Sequence, residues 1–184
     1  MTETSSMRAR RRIREIFDRV IADGLRSEAV AGASEQQLRE WAKSQAVSAL
    51  PAAAAEVFGL VGVRQGPWWY GSTAAISQLD WELKELALDC LDSAAGLADS
   101  HRILVLLAHG GYEFHVVDGD DVYQDDPPVW RITQGDSIER HWSSVTTWFE
   151  SAAISVQTMR ERVQRIARKE LHGHELALQE FFRI

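Results

Sequence analysis

The sequence predicts an α+β fold, in which helices flank a β-meander in the middle of the chain. Residues 103–136 read as a buried strand, a glycine turn, an alternating strand, an acidic loop and a further strand. The segments before and after them place apolar residues at helical spacings of three and four. Because short hairpin links join the predicted strands, an α+β arrangement fits better than a doubly wound α/β sheet.

The first half of the chain is predicted to be helical. Arg8–Arg26 carries apolar residues at helical spacing. Ser34-Glu35-Gln36-Gln37 is typical of a capping box that opens a second helix. Pro51 can occupy the start of a third, alanine-rich helix over Ala52–Gly59.

Two further elements precede the meander. Gly66–Gly71 encloses Trp68, Trp69 and Tyr70 between glycines, which predicts a short aromatic strand. Ile76–Leu97 repeats leucine and alanine at helical spacing and is predicted to be one long helix.

The meander begins with Ile103–Leu107, a continuous apolar run expected where both faces of a strand are buried. His109-Gly110-Gly111 supplies residues that tolerate a hairpin turn. Tyr112–Val117 alternates with period two, and Val129–Ile132 resumes β character after the acidic loop.

The last third is predicted to be helical again. Ile138–Ile154 is interpreted as an amphipathic helix, and Ser155–Ile184 as a further helical region that Gly173 interrupts. We divide the chain into a basic N-terminal extension and linker (1–33), a central α+β domain (34–154) and a C-terminal helical extension (155–184).

The net charge of −7 is unevenly distributed. Residues 1–26 carry seven arginines against four acids, and residues 156–184 carry six basic residues against four acids. Residues 27–155 hold seven basic residues against nineteen acids. Such a segment favours a basic protein partner and disfavours nucleic acid as a direct ligand, with simple solubility as the alternative.

The sequence contains no motif that indicates catalysis or a cofactor. It lacks a Gly-x-Ser-x-Gly elbow, a Gly-x-Gly-x-x-Gly loop and a Walker sequence. One cysteine, Cys90, excludes an intramolecular disulfide and a multi-cysteine metal site. Counting from Asp118, Tyr123 replaces the EF-hand glycine and Val129 the bidentate glutamate. We expect no enzyme activity, no cofactor and no metal.

The chain shows no signal-peptide pattern and no apolar run of 18 residues. We therefore expect a cytoplasmic protein that makes no membrane contact.

The acidic loop is the candidate partner-binding site, because clustered carboxylates steer a cationic partner and exposed aromatic rings anchor it. For Trp69, contact with a partner and packing in the core are equally open. The candidate residues are Asp118, Asp120, Asp121, Tyr123, Asp125, Asp126 and Trp69.

The order of features resembles the SUKH superfamily, also called the Smi/Knr type. The features are Leu50-Pro51, Phe58, the Gly66 turn, the Trp-Tyr strand, the long helix, the strand pair over Ile103–Val117, the Asp126–Trp130 strand entry, and Ser143, Ser144, Trp148 and Phe149 near the end. The resemblance covers about Leu38–Ala153.

The resemblance implies an α+β domain with a mixed, curved sheet packed by helices. It also implies a non-enzymatic immunity protein of bacteria, which binds and neutralises a toxin, often a nuclease, of a polymorphic or contact-dependent system. The alternative is an intracellular scaffold or regulator that acts through its terminal helices. The apolar tail formed by Leu171, Leu176, Phe181, Phe182 and Ile184 leaves three roles open: core packing, formation of a homo-oligomer and partner contact.

Overall fold

The computed structural model describes residues 3–91, 96–135, 138–167 and 178–183. Within them, five α-helices and a four-stranded antiparallel sheet confirm the predicted α+β class. The helices are α1 (Ser5–Ala22), α2 (Glu35–Ser44), α3 (Ala52–Val61), α4 (Trp81–Asp89) and α5 (Val145–Ala167). The strands are β1 (Leu104–His109), β2 (Glu113–Val117), β3 (Val129–Thr133) and β4 (Ile138–Trp142).

The sheet is a meander in the order β1-β2-β3-β4. A glycine turn links β1 to β2, with Gly110 and Gly111 at φ values of 57° and 74°. This confirms the predicted hairpin and satisfies the positive φ that such a turn requires. The register shifts between Val105 and Leu107, and between Val129 and Trp130. Bulges at such shifts bend a strand and increase its local twist.

Side-chain caps begin helices α1, α2 and α4. The Thr4 side chain accepts a hydrogen bond from the Met7 backbone N–H at the start of α1. The predicted capping box at the start of α2 is confirmed, since Ser34 and Gln37 exchange both hydrogen bonds. The Asp80 carboxylate accepts from the Leu83 N–H and begins α4 there. Each cap satisfies a backbone N–H that the helix itself cannot.

One buried cluster spans the whole described chain. Helix α1 contributes Ile13, Ile16 and Val20 at helical spacing and packs against both α3 and α5. The same cluster includes Trp148 of α5 and Phe182 near the C-terminus. Residues on both sides of the predicted boundaries at 33 and 154 therefore share one core, while the division itself stays a prediction.

A buried polar cluster fixes the end of α2 against α4 and β1. The Gln45 side chain donates to the Leu79 carbonyl at 2.6 Å and accepts from the Val105 N–H at 3.2 Å. The Trp41 indole N–H donates to the same Leu79 carbonyl. The Lys84 ammonium donates to the Gln45 carbonyl, and burial lowers the pKa of Lys84 to about 8. These bonds compensate the polar atoms for their loss of water.

The predicted aromatic strand over Gly66–Gly71 is wrong, because the chain makes a succession of turns there. Gly66, Trp69 and Gly71 have φ values of 58°, 48° and 85°, which are incompatible with an extended strand. The Gln65 side chain holds the turn together through donation to the carbonyls of Trp68, Trp69 and Ser72.

Two predicted helices have other boundaries. The segment predicted as a helix from Ile138 starts with β4, and α5 begins only at Val145. Ser143-Ser144 separates the two elements, and the Ser144 hydroxyl accepts from the Thr147 N–H in the first turn of α5. The helix predicted over Ile76–Leu97 begins at Trp81, and residues 92–95 lie outside the described residues.

The described end of the C-terminal segment packs against the turn after α1. The Arg26 N–H donates to the Phe181 carbonyl, and the Arg183 N–H donates to the Gly24 carbonyl. Phe182 is 2% exposed, whereas Leu171, Leu176 and Ile184 lie outside the described residues. None of the described helices is both long enough and apolar enough to cross a membrane.

We expect Ala46→Gly to raise the free energy of unfolding by about 0.5–1 kcal/mol, because alanine is strained in the left-handed region and glycine is not. Ala46 is exposed and follows α2 with a φ of 53°. Urea unfolding measures the change. Ala49→Gly is the control, at a nearby exposed alanine without positive φ; an equal gain there would contradict this explanation.

Candidate protein-binding site: the acidic loop

The acidic loop, residues 118–126, joins β2 to β3 and is anchored at its start by Asp118. Asp118 is 3% exposed, and its carboxylate accepts hydrogen bonds from the N–H groups of Ala98, Asp99 and Asp120. At Gly119, a Cβ atom would lie 2.6 Å from the Asp99 carbonyl oxygen, so the close approach requires glycine. Asp118 therefore anchors the loop and is almost fully buried, while its place in the predicted contact set stays a prediction.

The end of the loop is anchored by the first turns of two helices. The Ala53 N–H in α3 donates to the Asp125 carbonyl at 2.9 Å. In α5, the Thr146 N–H donates to the Asp126 carboxylate at 2.9 Å, and the Val145 N–H donates to the Pro127 carbonyl at 2.8 Å. Helix N-termini favour such acceptors, because their first N–H groups lack intrahelical partners. Asp126 is thus also engaged within the molecule.

The tip of the loop presents an aromatic ring among carboxylates. Tyr123 is 63% exposed, and its hydroxyl lies 3.0 Å from the Ser48 hydroxyl. Asp120 is exposed and lies 3.5 Å from the Arg102 guanidinium. Asp125 is half-buried, and only its backbone carbonyl takes part in a hydrogen bond within the described residues. The tip combines an apolar surface with negative charge.

Asp121 is half-buried and lies in the sequence between the anchoring Asp118 and the exposed Tyr123. Partial burial and the carboxylates of Asp118 and Asp120 raise its pKa, while Arg140 acts in the opposite direction. Crowding of like charges has this effect because each ionised carboxylate disfavours ionisation of the next. The loop concentrates negative charge, and its anchored backbone keeps that charge in place.

Trp69 lies away from the acidic loop. It is half-buried, and its ring stacks on Trp148 of α5 with centroids 4.4 Å apart. Its φ of 48° is unusual for a bulky residue and costs on the order of 1–3 kcal/mol. The structure does not join Trp69 to the predicted aspartates; it places this side chain in a second surface feature.

That second feature is an aromatic groove of about 450 Å³ between β1, β2 and α5. Ser72 and His109 form its polar contact, with Oγ and Nδ1 2.9 Å apart. Within the described residues no carboxylate hydrogen-bonds His109, so the third member of a hydrolase triad is not in place. The side chains that define the groove include Trp69, Tyr70, Ser72, His109, Tyr112 and His115.

His115 forms the inner wall of the aromatic groove and is 8% exposed. The Trp148 indole N–H donates to His115 Nδ1 at 3.0 Å, so Nε2 carries the proton of the neutral ring, 3.3 Å from the Glu113 carboxylate. Burial lowers the pKa of His115 to about 3, and the positive charges of Arg131, His141 and His109 add to this effect. The neutral ring is thus part of the contact between β2 and α5.

Sequence reasoning missed Gln65, Ser72 and His109 as a connected group. The paired glycines at 66 and 71 signal a turn, but nothing in the sequence shows that Gln65 closes it. The part of the chain that the structure describes contains no group of three or more His, Cys, Asp or Glu side chains suited to a metal ion.

No protein-family model, curated protein or solved structure matches this chain.

We expect Asp118→Asn to lower the free energy of unfolding by about 1.5–3 kcal/mol, because an amide cannot accept all three backbone N–H groups and turns a donor toward one of them. Asp120→Asn, which removes the same charge from an exposed side chain, is expected to change it by less than about 0.5 kcal/mol. Urea unfolding compares the two. Equal losses would contradict the separation of anchoring and exposed carboxylates.

Protonation of His115 would break its contact with Trp148, so stability should depend on pH. The pKa of His115 is about 3 in the folded chain and 6.5 in the unfolded chain. The neutral ring therefore makes its full contribution to the free energy of unfolding above pH 6.5, and this contribution is lost as the pH falls toward 3. The loss approaches about 1.4 kcal/mol per pH unit. We expect His115→Gln to lose less stability than the wild type between pH 7 and pH 4.

Urea unfolding at a series of pH values measures this difference. Phe114→Leu is the control, since it weakens the core without removing an ionisable group. It should keep the pH dependence of the wild type. If His115→Gln keeps that dependence as well, His115 does not supply it.

Proposed function

We propose that this chain is a non-enzymatic protein-binding domain, an immunity protein of the SUKH type that neutralises a basic toxin domain. The observation that carries the proposal is the acidic loop, which is anchored at both ends and exposes Tyr123 among carboxylates at its tip. A surface that is rigid before binding loses little conformational freedom in a complex.

The charge of the loop selects the class of partner. A nuclease must present a cationic groove to hold phosphate groups, and an acidic inhibitor can occupy the same groove. The carboxylates then increase the association rate and orient the partner. Tyr123 supplies an exposed aromatic ring of the kind that often contributes most of the binding free energy.

The contact set in this proposal is smaller than the sequence predicted. It comprises Asp120, Tyr123 and Asp125, with Asp121 partly exposed beside them. Asp118 and Asp126 hold the loop in position through hydrogen bonds to backbone N–H groups. Trp69 belongs to the aromatic groove and has no part in this contact.

The alternative is a scaffold that acts through its terminal helices. In the described residues, Phe182 is buried and Phe181 packs against the same core. These two aromatic side chains are therefore engaged within the molecule. No observation favours the scaffold over the immunity protein.

Capture of the toxin from host lysate, with bound proteins identified by mass spectrometry, tests the proposal. We expect the wild type to retain a basic toxin domain, and salt to release it, because salt screens the charges. Asp120→Asn/Tyr123→Ala/Asp125→Asn should lose most of this partner. Glu82→Gln/Glu85→Gln is the matched control, as it removes two exposed charges from α4.

One result would count against the loop contact, and another would count against the immunity role. Retention of the toxin by the triple variant at low salt would remove the loop from the contact, although the immunity role would stand. Capture of cell-envelope or signalling proteins that salt does not release would favour the scaffold instead.

A further inference from the structure

A groove of about 430 Å³ lies beside the acidic loop, with an apolar floor and a basic rim. The rim consists of Arg10 in α1 together with Arg39 and Lys43 in α2. An apolar centre enclosed by polar side chains is the usual organisation of a protein–protein contact. The floor is formed by Leu38, Ala42, Val47, Leu50 and Ala55.

The cations of the rim are only weakly neutralised. Arg39 lies 3.6 Å from Glu35 in an exposed ion pair within one helix, which contributes little. Arg10 shares Glu56 with Arg14. Lys43 makes no side-chain hydrogen bond or ion pair with the residues that the structure describes. Positive charge is therefore available at this groove.

The basic groove and the acidic loop adjoin on one face of the molecule. Ser48 belongs to the groove, and its hydroxyl lies 3.0 Å from the hydroxyl of Tyr123 in the loop. Asp120 and Asp125 come three and two residues from Tyr123 in the sequence. One face thus carries both signs of charge side by side, each with apolar surface next to it.

We propose that this face binds a second copy of the chain in a two-fold symmetric dimer, in which the acidic loop of each copy lies against the basic groove of the other. A two-fold axis brings the same patch of two copies together, so the patch must be complementary to itself. Adjacent patches of opposite charge meet this condition.

A second copy uses this face more fully than a partner of a single charge sign. A basic partner satisfies only the loop, and an acidic partner satisfies only the groove. A second copy satisfies both at once and forms each charge contact twice. The net charge of −7 opposes association at long range, but physiological salt screens charges beyond about 8 Å, so the local contacts decide the outcome.

The dimer and the proposed toxin complex use the same loop and therefore exclude each other. The dimer does not depend on the proposed function, since it requires only this chain. The groove cations separate the two experimentally, because their replacement removes the dimer contact and leaves the acidic loop intact.

Sedimentation equilibrium of the purified full chain over a range of concentrations tests the dimer. We expect a monomer–dimer equilibrium that high salt weakens. The groove variant, Arg39→Glu/Lys43→Glu, and the loop variant, Asp120→Lys/Asp125→Lys, should each weaken dimerisation by about 100-fold or more, because each places like charges opposite one another. Glu82→Lys/Glu85→Lys makes the same charge change as the loop variant on exposed residues of α4 and should leave dimerisation unchanged.

The decisive measurement mixes the groove variant with the loop variant in equal amounts. The mixture places two acidic patches on one chain opposite two basic patches on the other, so a heterodimer should form although neither variant dimerises alone. Thermal melting confirms that both variants are folded. The proposal is overturned by a monomeric wild type at every concentration, by unchanged dimerisation of either variant, or by folded variants that do not associate on mixing.

Discussion

Asp125 and Asp126, at the end of the acidic loop, and the following Pro127 tie the sheet to two helices, and much of the structure depends on that junction. The carbonyls of Asp125 and Pro127 and the carboxylate of Asp126 accept the leading N–H groups of α3 and α5. Helix starts leave such groups without partners, so one short segment satisfies both helices at once. A shift of the segment would uncap α3 and α5 and move β3 with them. Hydrogen bonds therefore anchor the acidic loop at both of its ends.

A second constraint concerns the turn that carries Trp68 and Trp69. Trp68 packs on Phe149 with centroids 4.3 Å apart, and Trp69 packs on Trp148 at 4.4 Å. Two neighbouring rings can both face α5 only if the backbone leaves the alternation of a strand, and the positive φ of Trp69 achieves this. Gln65 holds the turn with hydrogen bonds, while aromatic stacking offsets the backbone strain. The shape of the aromatic groove therefore depends on the strained backbone at Trp69 and on the contacts that stabilise it.

Local signals predicted much of the fold, and elements that depend on distant contacts escaped them. The capping box at Ser34 and the glycine hairpin after β1 are short-range patterns, and both are confirmed. Strand β4 was predicted as helix because its Trp142 continues the helical spacing of α5, and only pairing with β3 makes it a strand. In the acidic loop, the sequence located the carboxylates but could not tell which of them anchor the loop and which are exposed. Asp118 is buried among three backbone N–H groups, whereas Asp120 is exposed beside Arg102, and only the folded chain creates that difference.

The acidic loop therefore uses aspartates in two ways, as anchors of its backbone and as surface charges. The difference between them determines which aspartates a partner can contact. Carboxylates that accept backbone N–H groups are compensated within the molecule, so they fix the shape and add little to the field that a partner meets. Within the described residues, the carboxylates of exposed Asp120 and half-buried Asp125 accept no backbone N–H group, and Tyr123 between them contacts Ser48 of the basic groove. If the face binds its own copy, the fraction of chains with a free loop falls as concentration rises, and the proposed toxin would compete with the dimer by mass action. The proposed toxin, if it binds more tightly than the second copy, would still displace that copy. Self-association would then cover the acidic loop only in the absence of the toxin and would not prevent neutralisation of the toxin.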